Sequence, residues 1–142
     1  MNNAAGEVNA IARLLQKEIN QSVLPEGLSR QQYQVLSYIY SRSCAKRDVY
    51  QRDVEARFKM PRSTVSGLMK ELEAAGFIRR EQVESDIRLK RLVLTERPAR
   101  TCLKVRQGME ELNEQLSAGV SEEEFTVFRS VAAKMRANLA NA

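Results

Sequence analysis

Pro61 and Gly76 bracket the stretch that most limits how this chain can fold. Between them Val65, Leu68 and Leu72 recur at steps of three and four, the spacing of a helix with one buried stripe. Upstream, Val54 and Phe58 fall one turn apart and mark a shorter helix, with Lys59-Met60-Pro61 as the tight connection. Proline is tolerated at a first helical position because its missing N–H would be unpaired there anyway, so Arg62 or Ser63 opens the second helix. Gly76 ends it, since only a residue without a Cβ enters the left-handed C′ conformation at no steric cost. Beyond it, Phe77-Ile78 and residues 89–94 are apolar and β-branched enough to pair as strands. Glu84-Ser85-Asp86 supplies turn chemistry between them, and Asp86-Ile87-Arg88 forms the tip.

Helix, tight turn, helix and basic hairpin, in that order, spell a winged helix-turn-helix across residues 49–95. The flanks read as helices too. Val8, Ile11, Leu15 and Ile19 form a stripe that no proline interrupts before Pro25. Ser29 with Gln32, flanked by Leu28 and Tyr33, makes a capping box and staple that start a helix running toward Ser41. Thr95 and Glu96 open a longer helix with a seam of Cys102, Val105, Met109, Leu112 and Leu116. Ser121 with Glu124, between Val120 and Phe125, starts the last helix, whose stripe continues through Phe128, Val131, Met135 and Leu139. The expected fold is therefore mainly α with a small β-hairpin wing. Residues 1–142 form one domain, with a reading head over residues 28–100 and a helical lobe from residues 1–27 and 101–142; residues 21–27 are the short linker.

Charge is unevenly spread along these segments. Residues 28–100 carry 16 Lys and Arg against 9 Asp and Glu, whereas residues 1–27 (2 against 3) and 101–142 (5 against 6) are each slightly acidic. The whole net charge of +5 thus originates in the winged helix. Phosphate neutralisation requires such a distribution, because each cation that meets a phosphate releases condensed counterions. Double-stranded DNA is the expected partner. A winged helix that binds only protein is the alternative, as is the solvation of helix faces by Arg42, Lys46, Arg47, Arg52 and Arg57 individually.

Enzymatic chemistry finds little to work with. The chain has no histidine, hence no His-based triad or zinc-hydrolase site, and its six glycines never fall in a phosphate-cradling spacing. Glu122-Glu123-Glu124 sits at a helix start, where it complements the dipole. Cys44 and Cys102 are too few for a disulfide framework and have no CxxC or histidine companion, so no metal or other cofactor is expected. No run approaches the roughly 18 apolar residues that cross a bilayer, and no basic start precedes a greasy stretch. A cytoplasmic location is expected.

The runs Ser63-Thr64-Val65-Ser66, Leu72-Glu73-Ala74-Ala75-Gly76-Phe77-Ile78-Arg79-Arg80, Asp86-Ile87-Arg88 and Val93-Leu94-Thr95-Glu96 resemble the MarR family of bacterial transcription regulators. The segment from Leu28 through Gln32 to Leu36 resembles the helix preceding its reading head, so the likeness spans most of the chain. It implies a homodimeric, DNA-binding regulator, acting as a repressor on a pseudo-palindromic operator. In that arrangement the terminal helices of two subunits interleave and hold two heads at a fixed separation. A self-contained bundle of the terminal helices is the competing arrangement.

Because Val65, Leu68 and Leu72 must face inward, Arg62, Ser63, Thr64, Ser66 and Lys70 are the expected major-groove residues. Ser63 and Thr64 are equally suited to capping the helix. Gly67 departs from the resemblance, since many relatives carry a long basic residue there. At the wing, the resemblance implies that Arg88 enters the minor groove and that Asp86 holds it. This suits the concentrated negative potential of a narrow groove. Arg79, Arg80, Lys90 and Arg91 are expected near backbone phosphates.

The resemblance further implies release by a small aromatic or phenolic effector, for which Tyr33, Tyr38, Tyr40 and Arg106 are the candidate contacts by helical position. Thiol control through Cys44 is the alternative switch. Its placement does not match the N-terminal sensing cysteine of peroxide-responsive relatives, and Cys102 reads as an inert seam residue.

Overall fold

The structure, a computed structural model, describes residues 2–25 and 27–142. Its backbone separates into two compact units, one through Met109 and one from Glu110 to Ala142. Helix α1 (Ala4–Glu18) opens the first unit and runs into a π-helical turn, Ile19–Val23. The expected linker over residues 21–27 is thus shorter than the sequence suggests; Glu26, within it, lies outside the described residues. The helical winding persists because Val23 is buried against Gly108, where an added Cβ would come within 3.2 Å of the valine Cγ1. In the expected stripe, Leu15 and Ile19 are half-buried while Val8 and Ile11 remain exposed.

Helix α2 (Arg30–Cys44) starts at the expected capping box. The Gln32 backbone N–H donates to Ser29 Oγ at 3.1 Å, and the Ser29 N–H donates to Gln32 Oε1 at 2.8 Å. The helix extends three residues past Ser41. Strand β1 (Val49–Tyr50) follows, then α3 (Gln51–Phe58) and α4 (Arg62–Ala74). Lys59, with φ of +52°, terminates α3, and Pro61 caps α4 in extended conformation.

A Schellman closure ends α4. Phe77 N–H donates to Leu72 O and Gly76 N–H to Glu73 O, both at 3.0 Å, with Gly76 at φ of +82°. Strands β2 (Ile78–Val83) and β3 (Asp86–Leu94) form the wing. The wing is not a lone hairpin, because β1 pairs antiparallel with β3 through Val49–Leu92 and Tyr50–Arg91, giving the order β1-β3-β2. The core beneath the wing joins Val35, Leu36 and Ile39 of α2 to Val54, Val65, Leu68, Met69 and Leu72, and to Ile78 and Leu92 of the sheet. Of the stripes that imply two short helices, Val54, Val65, Leu68 and Leu72 lie buried, while Phe58 is half-buried against the core. Among the described residues, no helix is long and apolar enough to cross a membrane.

Helix α5 (Arg97–Ser117) passes the boundary between the units. Cys102, Val105 and Leu112 of its seam are buried, whereas Met109 and Leu116 stay exposed. In the second unit α6 (Glu122–Ala140) carries a second complete capping box between Ser121 and Glu124. Its stripe is left open: Phe125, Phe128, Val131 and Leu139 are each at least 41% exposed. Phe125 and Phe128 stack with centroids 6.0 Å apart.

Candidate nucleic-acid interface

Burying Val65, Leu68, Met69 and Leu72 on the inner side of α4 leaves a polar outer face. Arg62, Ser63, Thr64, Gly67 and Lys70 are exposed along it, and Ser66 is half-buried at its margin. No carboxylate among the described residues lies within 4.0 Å of Arg62 or Lys70, so both cations face solvent uncompensated. Among the described residues, nothing outside its own stretch of α4 lies within 4 Å of a Cβ built on Gly67, so its lack of a side chain answers no packing demand from them.

At the wing tip, Asp86 grips its neighbour twice. Its Oδ1 accepts the Arg88 backbone N–H at 3.0 Å and the Arg88 Nε–H at 3.3 Å. The Arg88 side chain is 86% exposed, so the carboxylate fixes the base of the guanidinium arm and leaves its end free. A register irregularity between Gln82 and Val83, which leaves Val83 opposite Asp86, bends the strand at this point.

The four remaining wing cations do not share one face. Cross-strand partners project to the same side of a sheet, and Arg80 opposes Leu92 while Gln82 opposes Lys90. Arg79, opposite Val93, and Arg91, opposite Glu81, therefore project to the other side. Lys90 is exposed with no carboxylate beside it among the described residues. Arg79 lies 4.0 Å from Glu81, and Arg91 lies 3.9 Å from Asp48.

Arg80 departs from its expected place on a phosphate. Its Nη2 and Nε lie 3.2 and 3.3 Å from Glu73 Oε1, while its backbone N–H donates to Glu73 Oε2 at 2.9 Å. The side chain is only 21% exposed. That backbone hydrogen bond, aided by the guanidinium, holds the Glu73 carboxyl below its ordinary range. Arg80 thus ties β2 to α4 instead of reaching outward, a pairing between elements that no local sequence signal announces.

Two of the four expected effector contacts meet at one described cleft. Tyr33 and Tyr38 line an open cleft of about 530 Å³ together with Gln34, Ser37, Ser41, Arg57 and Phe58. Tyr38 meets Phe58 edge-on at 5.7 Å, and the guanidinium carbons of Arg42 and Arg57 each lie 6.0 Å from the Tyr38 ring centre. Tyr40 and Arg106 are absent from this lining. The neighbouring Cys44 thiol pushes the Tyr40 phenol up, and burial pushes the Cys102 thiol up. Both cysteines are free thiols, Cys44 exposed and Cys102 buried. Arg57 and Phe58 were not expected in the cleft, because on sequence alone they read as a solvated cation and a core residue.

The MarR family profile matches residues 26–89, a span that contains the helix-turn-helix and the wing up to Arg88. Over these residues the chain is similar to the MarR family. It is similar to the uncharacterized HTH-type transcriptional regulator YybA of Bacillus subtilis (strain 168), with 27% identity over 139 residues covering 98% of this chain and 90% of YybA. Among solved structures it resembles MepR, a transcription regulator of the Staphylococcus aureus multidrug efflux pump MepA. The TM-score there is 0.81 at 21% identity, over 97% of this chain and 99% of MepR. The haem sensor protein PefR of Streptococcus agalactiae, in complex with haem, superimposes with a TM-score of 0.70 at 25% identity, over 99% and 96% of the two chains. These likenesses show the winged-helix fold, and the span that the family profile matches holds the exposed cations of α4 together with Arg88 of the wing.

Proposed function

We propose that this chain is a transcriptional regulator of MarR type, a homodimeric repressor that binds a pseudo-palindromic operator in double-stranded DNA. In this reading residues 28–100 are the DNA-binding lobe, and residues 1–27 and 101–142 are the dimerisation lobe. Arg62, Ser63, Thr64, Ser66 and Lys70 meet the major groove, and Arg88, steadied by Asp86, enters the minor groove. Arg79, Lys90 and Arg91 meet phosphates. The observation that carries the reading is the free Arg88 arm anchored on Asp86, on the same reading head as the uncompensated cations of α4. A surface ion pair alone contributes under about 1 kcal/mol, which gives little reason to hold an arginine this way for stability. MepR has been solved in complex with DNA, and the apolar faces left open on α1 and α6 suit burial by a second copy.

Release of the operator by a small aromatic or phenolic ligand completes the proposal. MepR bound to ethidium bromide and PefR bound to haem lend it support. The cleft beside Tyr33 and Tyr38 is the candidate site; a ligand there changes DNA affinity only as far as it binds one conformation better than the other.

The test is fluorescence anisotropy of the purified protein on duplex taken from its own upstream intergenic region, titrated at several KCl concentrations. Affinity should fall linearly on a log–log plot with salt and exceed that for a scrambled duplex. Salt-independent binding, or none, sinks the reading.

A further inference from the structure

We infer that Thr95 and Arg97, at the start of α5, form a clamp on the C-terminus of the recognition helix α4 and set its orientation for operator discrimination. The carbonyls beyond the Schellman closure are taken up almost entirely by these two residues. Thr95 Oγ1–H donates to Gly76 O at 2.7 Å, with Phe77 O within 3.2 Å, and the Thr95 backbone N–H donates to Phe77 O at 3.1 Å. The Arg97 guanidinium donates to Ala75 O through Nη1 and lies with its central carbon 4.4 Å from the centre of the Phe77 ring. Thr95 Oγ1 accepts the Arg97 backbone N–H at 3.3 Å, which locks the two residues together.

The consequence is mechanical. Helix ends normally leave their last carbonyls to water or to their own side chains. Here three successive carbonyls, Ala75, Gly76 and Phe77, receive donors from a segment some twenty residues later. A cation over the Phe77 ring and against the negative end of α4 adds directionality that a water molecule lacks. Any rotation of the first turn of α5 must therefore move the end of α4. Thr95 and Arg97 are positioning residues, acting through α4 and not by touching bases.

The inference rests on the DNA-binding reading for its functional readout, but one arm of the test does not use DNA. Hydrogen–deuterium exchange on the full-length protein should show faster exchange at residues 75–77 in Arg97→Gln and Thr95→Val, with residues 65–69 unchanged. On DNA, Arg97→Gln should cut the preference for the upstream duplex over a scrambled one by about tenfold, the order of coupling carried by one contact network. Affinity for the scrambled duplex and the salt slope should hold at wild-type values. Arg97→Lys, which keeps a donor and a charge over Phe77, should recover most of the preference. Unchanged exchange at residues 75–77 overturns the clamp. So does a salt slope lowered by about one in Arg97→Gln, since that is the mark of a direct phosphate contact. Wild-type protein with no preference for its upstream duplex would instead overturn the DNA-binding proposal, and the exchange experiment would still decide whether the clamp exists.

Discussion

Arg88 concentrates the affinity argument in one side chain. Its backbone N–H and Nε–H are held by Asp86, so the conformational entropy of ordering the arm is partly met before DNA arrives. Arg88→Ala should weaken operator binding by about 1–3 kcal/mol and flatten the salt dependence. The thermal midpoint should barely move, because the side chain is almost wholly exposed. Asp86→Ala tests the anchoring separately: the charge on Arg88 survives, so the salt slope should persist while affinity falls. Gly67 poses the complementary question. Its open surroundings mean that Gly67→Ala should raise stability by about 1 kcal/mol, measured by urea denaturation. If the same variant loses operator affinity, the glycine is there for close approach of DNA; if affinity holds, α4 reads bases without help from this position.

At the scale of elements, the join between α4 and the wing depends on protonation. Glu73 is held below its ordinary carboxyl value of 4.5 by the Arg80 backbone N–H and then by its guanidinium. A depressed folded pKa contributes stability that is fully present above the unfolded value and is lost as pH falls through the folded one. Wild-type protein should thus be more stable than Glu73→Gln at neutral pH. The gap should begin to close below about pH 4.5 and vanish once the pH drops beneath the depressed folded value, as thermal melts across pH 3–7 would register. This join was hidden in the sequence for a physical reason. Helices α3 and α4 were legible because Val54, Val65, Leu68 and Leu72 each follow local periodicity. The capping boxes at Ser29 and Ser121 were legible because their partners are three residues away. Strand β1 is two residues long and shows no period, and the Glu73–Arg80 and Arg97–Ala75 contacts depend on how separate elements pack. For the same reason the outward side chains of α4 could be named in advance, whereas the lining of the Tyr33–Tyr38 cleft could not.

For the whole molecule the deciding quantity is how tightly two reading heads are coupled. In the proposed dimer each head supplies a modest, salt-sensitive affinity. Tethering two of them at about one helical turn, roughly 34 Å, makes the second contact intramolecular. The gain from such tethering is of order 100- to 10,000-fold, so a variant that dimerises poorly should lose far more affinity than any single groove contact can account for. Phe128 offers the means, being 59% exposed and stacked on Phe125 in α6, remote in sequence from the winged helix. Phe128→Asp should leave the helical circular dichroism of the chain unchanged, because the position is open to solvent in the single subunit. Light scattering should then report monomers at concentrations where the wild type is dimeric. Operator affinity should fall by the tethering factor, while binding to a duplex carrying one half-site should match wild type. A dimer that survives this substitution would move the interface off the α6 face, and full operator affinity from a monomer would remove the two-headed geometry altogether.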